Sequence, residues 1–149
     1  MAPPQPDVLS LSVQPTPLEL RRCSIWLTES CQTQAVPSGP AGKLDLCLNE
    51  VLANLIDHAG AADFSAPVDL SLELADCGDR GLATLTIIDT GPAFDPLGVS
   101  RGPLPRSLAD AEPGGLGLLL VRRFMDERSY ERAGDRNVLK LGIYWPKGP

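Results

Sequence analysis

At 149 residues, with 43% apolar and 21% charged content, the chain has the mass and hydrophobicity for one soluble domain with a proper core. A net charge of -6 and a sequence pI near 4.7 argue against nucleic acid or an anionic membrane surface as the main partner. There is no run of 18 apolar residues, and no basic segment followed by a short apolar one. Neither a transmembrane span nor a signal peptide is expected, and the cytoplasm is the expected compartment.

The 14 glycines and 15 prolines stay below the share that marks a low-complexity chain. Residues 1–7 are Pro-rich and read as a disordered tail, leaving a single domain over residues 8–146. Residues 8–14 alternate, with Leu9, Leu11 and Val13 on one side and Ser10 and Ser12 on the other, the period of a half-buried strand. Thr16 and Pro17 read as the N-cap and first position of an amphipathic helix over residues 18–33. The run Ser38-Gly39-Pro40-Ala41-Gly42 is expected to break that helix before a second one over residues 43–59.

On the second helix Glu50, Asn54 and His58 recur every four residues, so they stack as one polar stripe drifting by about 40° per step. Leu44, Leu48, Val51, Leu52, Leu55 and Ala59 form a separate apolar stripe that needs a sheet or helix beneath it. Polar residues on a helix flank commonly face solvent, so the stripe alone is open to two readings, a wetted surface or the wall of a ligand site.

Residues 68–74 alternate without error, Val68, Leu70, Leu72 and Leu74 facing in and Asp69, Ser71 and Glu73 facing out. A turn over residues 77–81 leads to a second strand, 82–89, in which Asp89 shares its face with Ala83, Leu85 and Ile87. A carboxylate on that face is costly unless something donates hydrogen bonds to it, and Gly91 just beyond lets a flat ligand approach the backbone. A turn-forming Asp at a strand end is the other reading.

Glycines and prolines then punctuate a loop of about twenty residues, long enough for a lid, which is placed at residues 96–113. Gly114, Gly115 and Gly117 open a helix over residues 116–125, whose free N–H groups and dipole suit a phosphate, although a glycine hinge would look the same. Strand-like runs at 129–132 and 138–145 follow, with a turn between them. The order β, α, α, β, β, loop, α, β, β describes an α/β (α+β) two-layer sandwich, a mixed, mostly antiparallel sheet covered on one face by three helices.

The four cysteines, Cys23, Cys31, Cys47 and Cys77, are 8, 16 and 30 residues apart, which matches no metal-knuckle or redox-pair spacing, so reduced thiols are expected. With His58 the single histidine, a His-rich zinc site is not available, and no G-x-S-x-G turn offers a catalytic serine.

Three motifs in this order resemble the GHKL, or Bergerat-fold, ATPases: Glu50, Asn54 and His58 on a helix; Asp89, Gly91, Phe94, Asp95 and Pro96 after a strand; and Gly114, Gly115, Leu116, Gly117 and Leu118 with Leu120 and Val121 after a lid. Within that superfamily the chain looks most like the anti-sigma factor serine kinases, from about Val8 to Trp145. The resemblance implies ATP and Mg²⁺ as cofactors, with Asp89 accepting from the adenine amino group and Asn54 holding the metal. It implies Glu50 as the general base, and glycines 114, 115 and 117 around the phosphates. Arg101 and Arg106 in the lid would reach a phosphate.

An anti-sigma factor antagonist of STAS type and a sigma factor are the implied partners, and a homodimer is the implied assembly. A non-catalytic, ATP-binding regulatory switch is the alternative. The chain departs from the stricter superfamily pattern at Ala93, where that pattern has a glycine, and its only histidine lies within the nucleotide motif, which argues against autophosphorylation on His.

Overall fold

A computed structural model describes residues 8–58, 64–97 and 115–148, without the side chains of residues 58 and 115–118. The expected tail, Ala59, nearly all of the 96–113 lid with Arg101 and Arg106, and Gly114 lie outside the described residues, as do the side chains of His58, Leu116 and Leu118. The elements run β1 (Val8–Val13), α1 (Leu20–Thr33), α2 (Ser38–His58), β2 (Val68–Asp76), β3 (Arg80–Asp89), α3 (Gly115–Phe124), β4 (Glu127–Ala133) and β5 (Arg136–Pro146). The five strands form one sheet in the order β1-β2-β3-β5-β4, and every pairing is antiparallel, so the expected mixture of directions is absent among the described residues.

Period-2 patterning decides which face is covered. Val13, Val68, Leu70, Leu72, Ala83, Leu85, Ile87, Leu139, Leu141 and Ile143 are buried on one side of the sheet. The register sets them opposite one another, Leu70 with Ile87, Leu72 with Leu85, Leu85 with Leu141 and Ile87 with Leu139. The helices supply the other half of this core. Cys23, Leu27 and Cys31 come from α1 and Leu44, Cys47, Leu48, Val51 and Leu52 from α2, spacings that gather on one helical face. Ser24 Oγ donates to Asp45 Oδ1 at 2.6 Å, tying α1 to α2 above that seam.

Both hairpins turn on a Gly-Asp pair. Gly78 (φ 85) and Gly134 (φ 62) take the left-handed conformation that a two-residue turn needs at its first central position.

The expected break at residues 38–42 is corrected by the structure, because that run is the first part of α2. The first four N–H groups of a helix have no intrahelical partner, so Pro40 forfeits no hydrogen bond there. The first bond of α2 runs from the Ala41 N–H to the Pro37 carbonyl at 3.0 Å. Thr16 makes no side-chain cap, and Pro17 opens a short 3₁₀ turn before α1 begins at Leu20.

The chain stops α1 elsewhere, at Ala35, the one described non-glycine residue with positive φ, 59°. The Val36 N–H reaches the Cys31 carbonyl at 2.8 Å and the Ala35 N–H reaches that of Gln32 at 3.1 Å, the two bonds of a Schellman cap. An L side chain is strained in this conformation, whereas glycine adopts it freely. Ala35→Gly is therefore expected to stabilise the protein by about 0.5–1 kcal/mol, read as a higher urea midpoint with an unchanged slope. A lower midpoint would show that the flexibility gained by the unfolded chain outweighs the relieved strain.

All four cysteines are free thiols, as their spacing suggested. Burial between α1 and α2 pushes Cys23, Cys31 and Cys47 up to about 11, so they stay protonated at neutral pH and serve as small apolar side chains. Cys77 is exposed at the β2–β3 turn. No described helix is long and apolar enough to cross a membrane.

Candidate nucleotide site

The apolar stripe of α2 fixes the direction of its polar flank. With Leu44, Leu48, Val51 and Leu52 pressed into the core, Asn54 is turned to the edge of the seam and is only 7% exposed. It lines a small cavity of about 10 Å³ together with Asp89, Phe94, Tyr130 and Asn137, among the apolar side chains of Val51, Leu55, Ile87 and Leu139. Glu50, one turn earlier, is half-buried but is not part of this lining.

The same cavity is lined by Asp89, 3% exposed at the last residue of β3. The strand period that buries Ala83, Leu85 and Ile87 puts Asp89 on the same covered face. Its charge is met by two donors on one oxygen: the Gly91 N–H at 2.9 Å and the Asn137 Nδ2 at 2.9 Å, both to Oδ1. Among the described residues no donor reaches Oδ2.

Asn137 faces Asp89 directly across the β3–β5 ladder and is itself 4% exposed. Its Nδ2 also donates to the Pro92 carbonyl at 3.0 Å and, at 3.4 Å, to that of Gly91. Its Oδ1 accepts from the Tyr130 hydroxyl at 2.5 Å and from the Phe94 N–H at 3.4 Å. Acceptors thus gather at one end of the amide and donors at the other, which fixes its orientation. Arg132 Nη1 completes the cluster by donating to the Gly91 carbonyl at 2.8 Å.

Gly91 is required where it stands. A Cβ there would lie 2.8 Å from the Phe64 ring and 3.1 Å from Asp89 Oδ1, so any side chain would push into the ring or the carboxylate. A second, larger cavity of about 180 Å³ opens beside it, lined by Leu55, Phe64, Asp89, Gly91, Pro92, Ala93 and Phe94. Ala93, the departure from the family pattern, is exposed on its rim. The two spaces share Leu55, Asp89 and Phe94. Apolar and aromatic walls around one hydrogen-bonded carboxylate suit a flat heterocycle that carries an amino group.

The third motif opens α3 at Gly115. Lys43, near the start of α2, sits with its Nζ 5.5 Å from the centroid of the Phe124 ring at the end of α3. The two helices pack together.

Sequence reasoning singled out Asn54, Asp89, Gly91 and Phe94, and the structure brings these together. It missed Asn137, Tyr130, Arg132 and Phe64. A signal for Asn137 was present, because it shares the parity of Leu139, Leu141 and Ile143 and is therefore a polar residue on an apolar strand face.

A five-stranded antiparallel sheet covered on one face by three helices, with a buried carboxylate at a strand end and an asparagine on a helix lining one cavity, is the architecture of an ATPase-like nucleotide fold. The family model of the histidine kinase-like ATPase domain matches residues 13–143, and the chain belongs to that family. The serine/threonine-protein kinase BtrW of Bordetella bronchiseptica is 42% identical over 98 residues, a stretch that spans 66% of this chain and 66% of BtrW. Among solved structures, a chain of the SiaB–SiaC complex from Pseudomonas aeruginosa superposes with a TM-score of 0.54 at 14% identity, covering 92% of this chain and 89% of that one, a likeness of fold.

Proposed function

We propose that this protein is an ATP-dependent serine-protein kinase of the anti-sigma factor type. On this reading it phosphorylates a small antagonist protein with a STAS-type domain, holds a sigma factor, acts in the cytoplasm and works as a homodimer. The observation that carries the nucleotide part is Asp89, a buried carboxylate with one oxygen engaged, lining a cavity that Asn54 also lines. Membership of the ATPase family and the likeness to a named serine/threonine kinase support the kinase part.

The residues present fit Mg-ATP. Asp89 would accept from the adenine amino group, with Phe94 and Leu55 against the ring and Gly91 in the wall beside them. Asn54 would hold Mg²⁺, a cation that takes one or two protein oxygens and fills its shell with phosphate oxygens and water. When bound, Mg-ATP supplies the phosphoryl group. Gly114, Gly115, Leu116, Gly117 and Leu118 would offer backbone N–H groups to the phosphates, with Arg101, Arg106 and His58 beside them. Glu50 would take the proton of the serine hydroxyl.

The same fold serving as a non-catalytic switch is a second reading, and the place of Glu50 outside the cavity lining favours it. The test is calorimetric titration with Mg-ATP, alongside transfer of labelled γ-phosphate to the partner recovered by co-purification. Micromolar binding with transfer supports the kinase, binding without transfer to any recovered partner leaves the switch, and no binding removes both.

A further inference from the structure

We propose that Asn137 is the positioning residue for base recognition, holding the Asp89 carboxylate at one rotation so that Oδ2 meets the exocyclic amino group of a 6-aminopurine. This rests on the nucleotide reading above and names what gives that site its preference for one base. A carboxylate at the end of a strand can turn about its last bond, and a ligand that needs one oxygen at one place loses affinity when it does.

Two fixed donors stop that rotation here. The Gly91 N–H is held by the backbone, and the Asn137 amide is held by the Tyr130 hydroxyl, the Phe94 N–H and the Pro92 carbonyl. Asn137 has no hydrogen left for a ligand, since its Nδ2 group is engaged by Asp89 and by the Pro92 and Gly91 carbonyls. Its influence on the base is therefore exerted through Asp89. Tyr130 and Arg132 extend this support to the edge strand β4, so three neighbouring strands share in aiming one oxygen.

The experiment compares two triphosphates, ATP and purine riboside triphosphate, which lacks the 6-amino group. The parent is expected to prefer ATP by roughly ten- to a hundredfold. Asn137→Ala is expected to bring that preference down by roughly tenfold, chiefly through weaker ATP binding, and Tyr130→Phe to lower it by roughly threefold. A residue needed only for folding would weaken both nucleotides by the same factor. Equal weakening in Asn137→Ala overturns the proposal. Should that variant fail to fold, Tyr130→Phe decides, and an unchanged preference in it has the same consequence. A parent that binds both triphosphates equally tightly contradicts the base assignment while leaving phosphate binding intact, and a parent that binds neither removes the nucleotide reading altogether.

Discussion

Glu50→Gln is expected to bind Mg-ATP within about threefold of the parent while phosphate transfer falls by at least tenfold, inside the range of roughly 10²–10⁴ that a general base contributes. A serine hydroxyl attacks poorly until a base within about 2.6–3.2 Å accepts its proton. Glu50 lies about 6 Å along the axis of α2 from Asn54, and its side chain is half-buried outside the cavity that Asn54 and Asp89 share. Glutamine keeps the size and removes the basicity, so binding and transfer separate. Asn54→Ala should give a different signature, loss of metal-dependent nucleotide binding itself, because that side chain lines the cavity. Rates measured on the co-purified partner distinguish these cases, and a Glu50→Gln protein as fast as its parent would return Glu50 to an ordinary place on the helix surface.

Asp89→Asn should weaken ATP binding by roughly ten- to a hundredfold, the effect of losing a charged hydrogen-bond partner in a buried place. The substitution is chosen because the fold can tolerate it. An asparagine carbonyl can still accept from the Gly91 N–H and from Asn137, so the turn after β3 keeps its bonds. What changes is the group left for the ligand, where an amide N–H₂ would confront the amino group of the base, donor against donor. Calorimetry with both proteins measures the loss, and a thermal midpoint for each separates it from unfolding. Equal affinities would show that the base does not sit against Asp89.

Much of the architecture was legible because it follows from alternation. Residues in 68–74 and 82–89 have no choice of face once one side is apolar, and that logic carried Asp89 to the covered side with them. The errors have local causes. Gly39 and Pro40 look like breakers, yet near the N-terminus of α2 neither loses an intrahelical bond, and the actual stop is an alanine in a conformation that composition does not advertise. The run at 129–132 was read too short because β4 is an edge strand with charged residues along most of its length, which have no apolar period to extend.

Within the site, single residues with chemical meaning could be read from spacing, whereas spacing could mark Asn137 as a polar residue on an apolar face but not give its role. Its role comes from the register that sets it opposite Asp89, and the turn chemistry of the neighbouring Gly134-Asp135 drew it into the turn instead. Phe64 likewise meets Gly91 only in three dimensions.

Asp89 and Asn137 are 48 residues apart, and they meet because β3 pairs with β5. The hairpins β2–β3 and β4–β5 each close over a tight turn and can form within microseconds, whereas joining them closes a much longer stretch of chain and costs more entropy. The base pocket thus exists only once the two hairpins have joined, and a chain that has completed both hairpins separately still has nowhere to hold a ligand. A nucleotide seated on Asp89 would favour only the joined sheet, by about 2.7 kcal/mol at a hundredfold excess over its Kd. Its concentration would then set how often the central seam parts, and with it the lifetime of the chain against proteases.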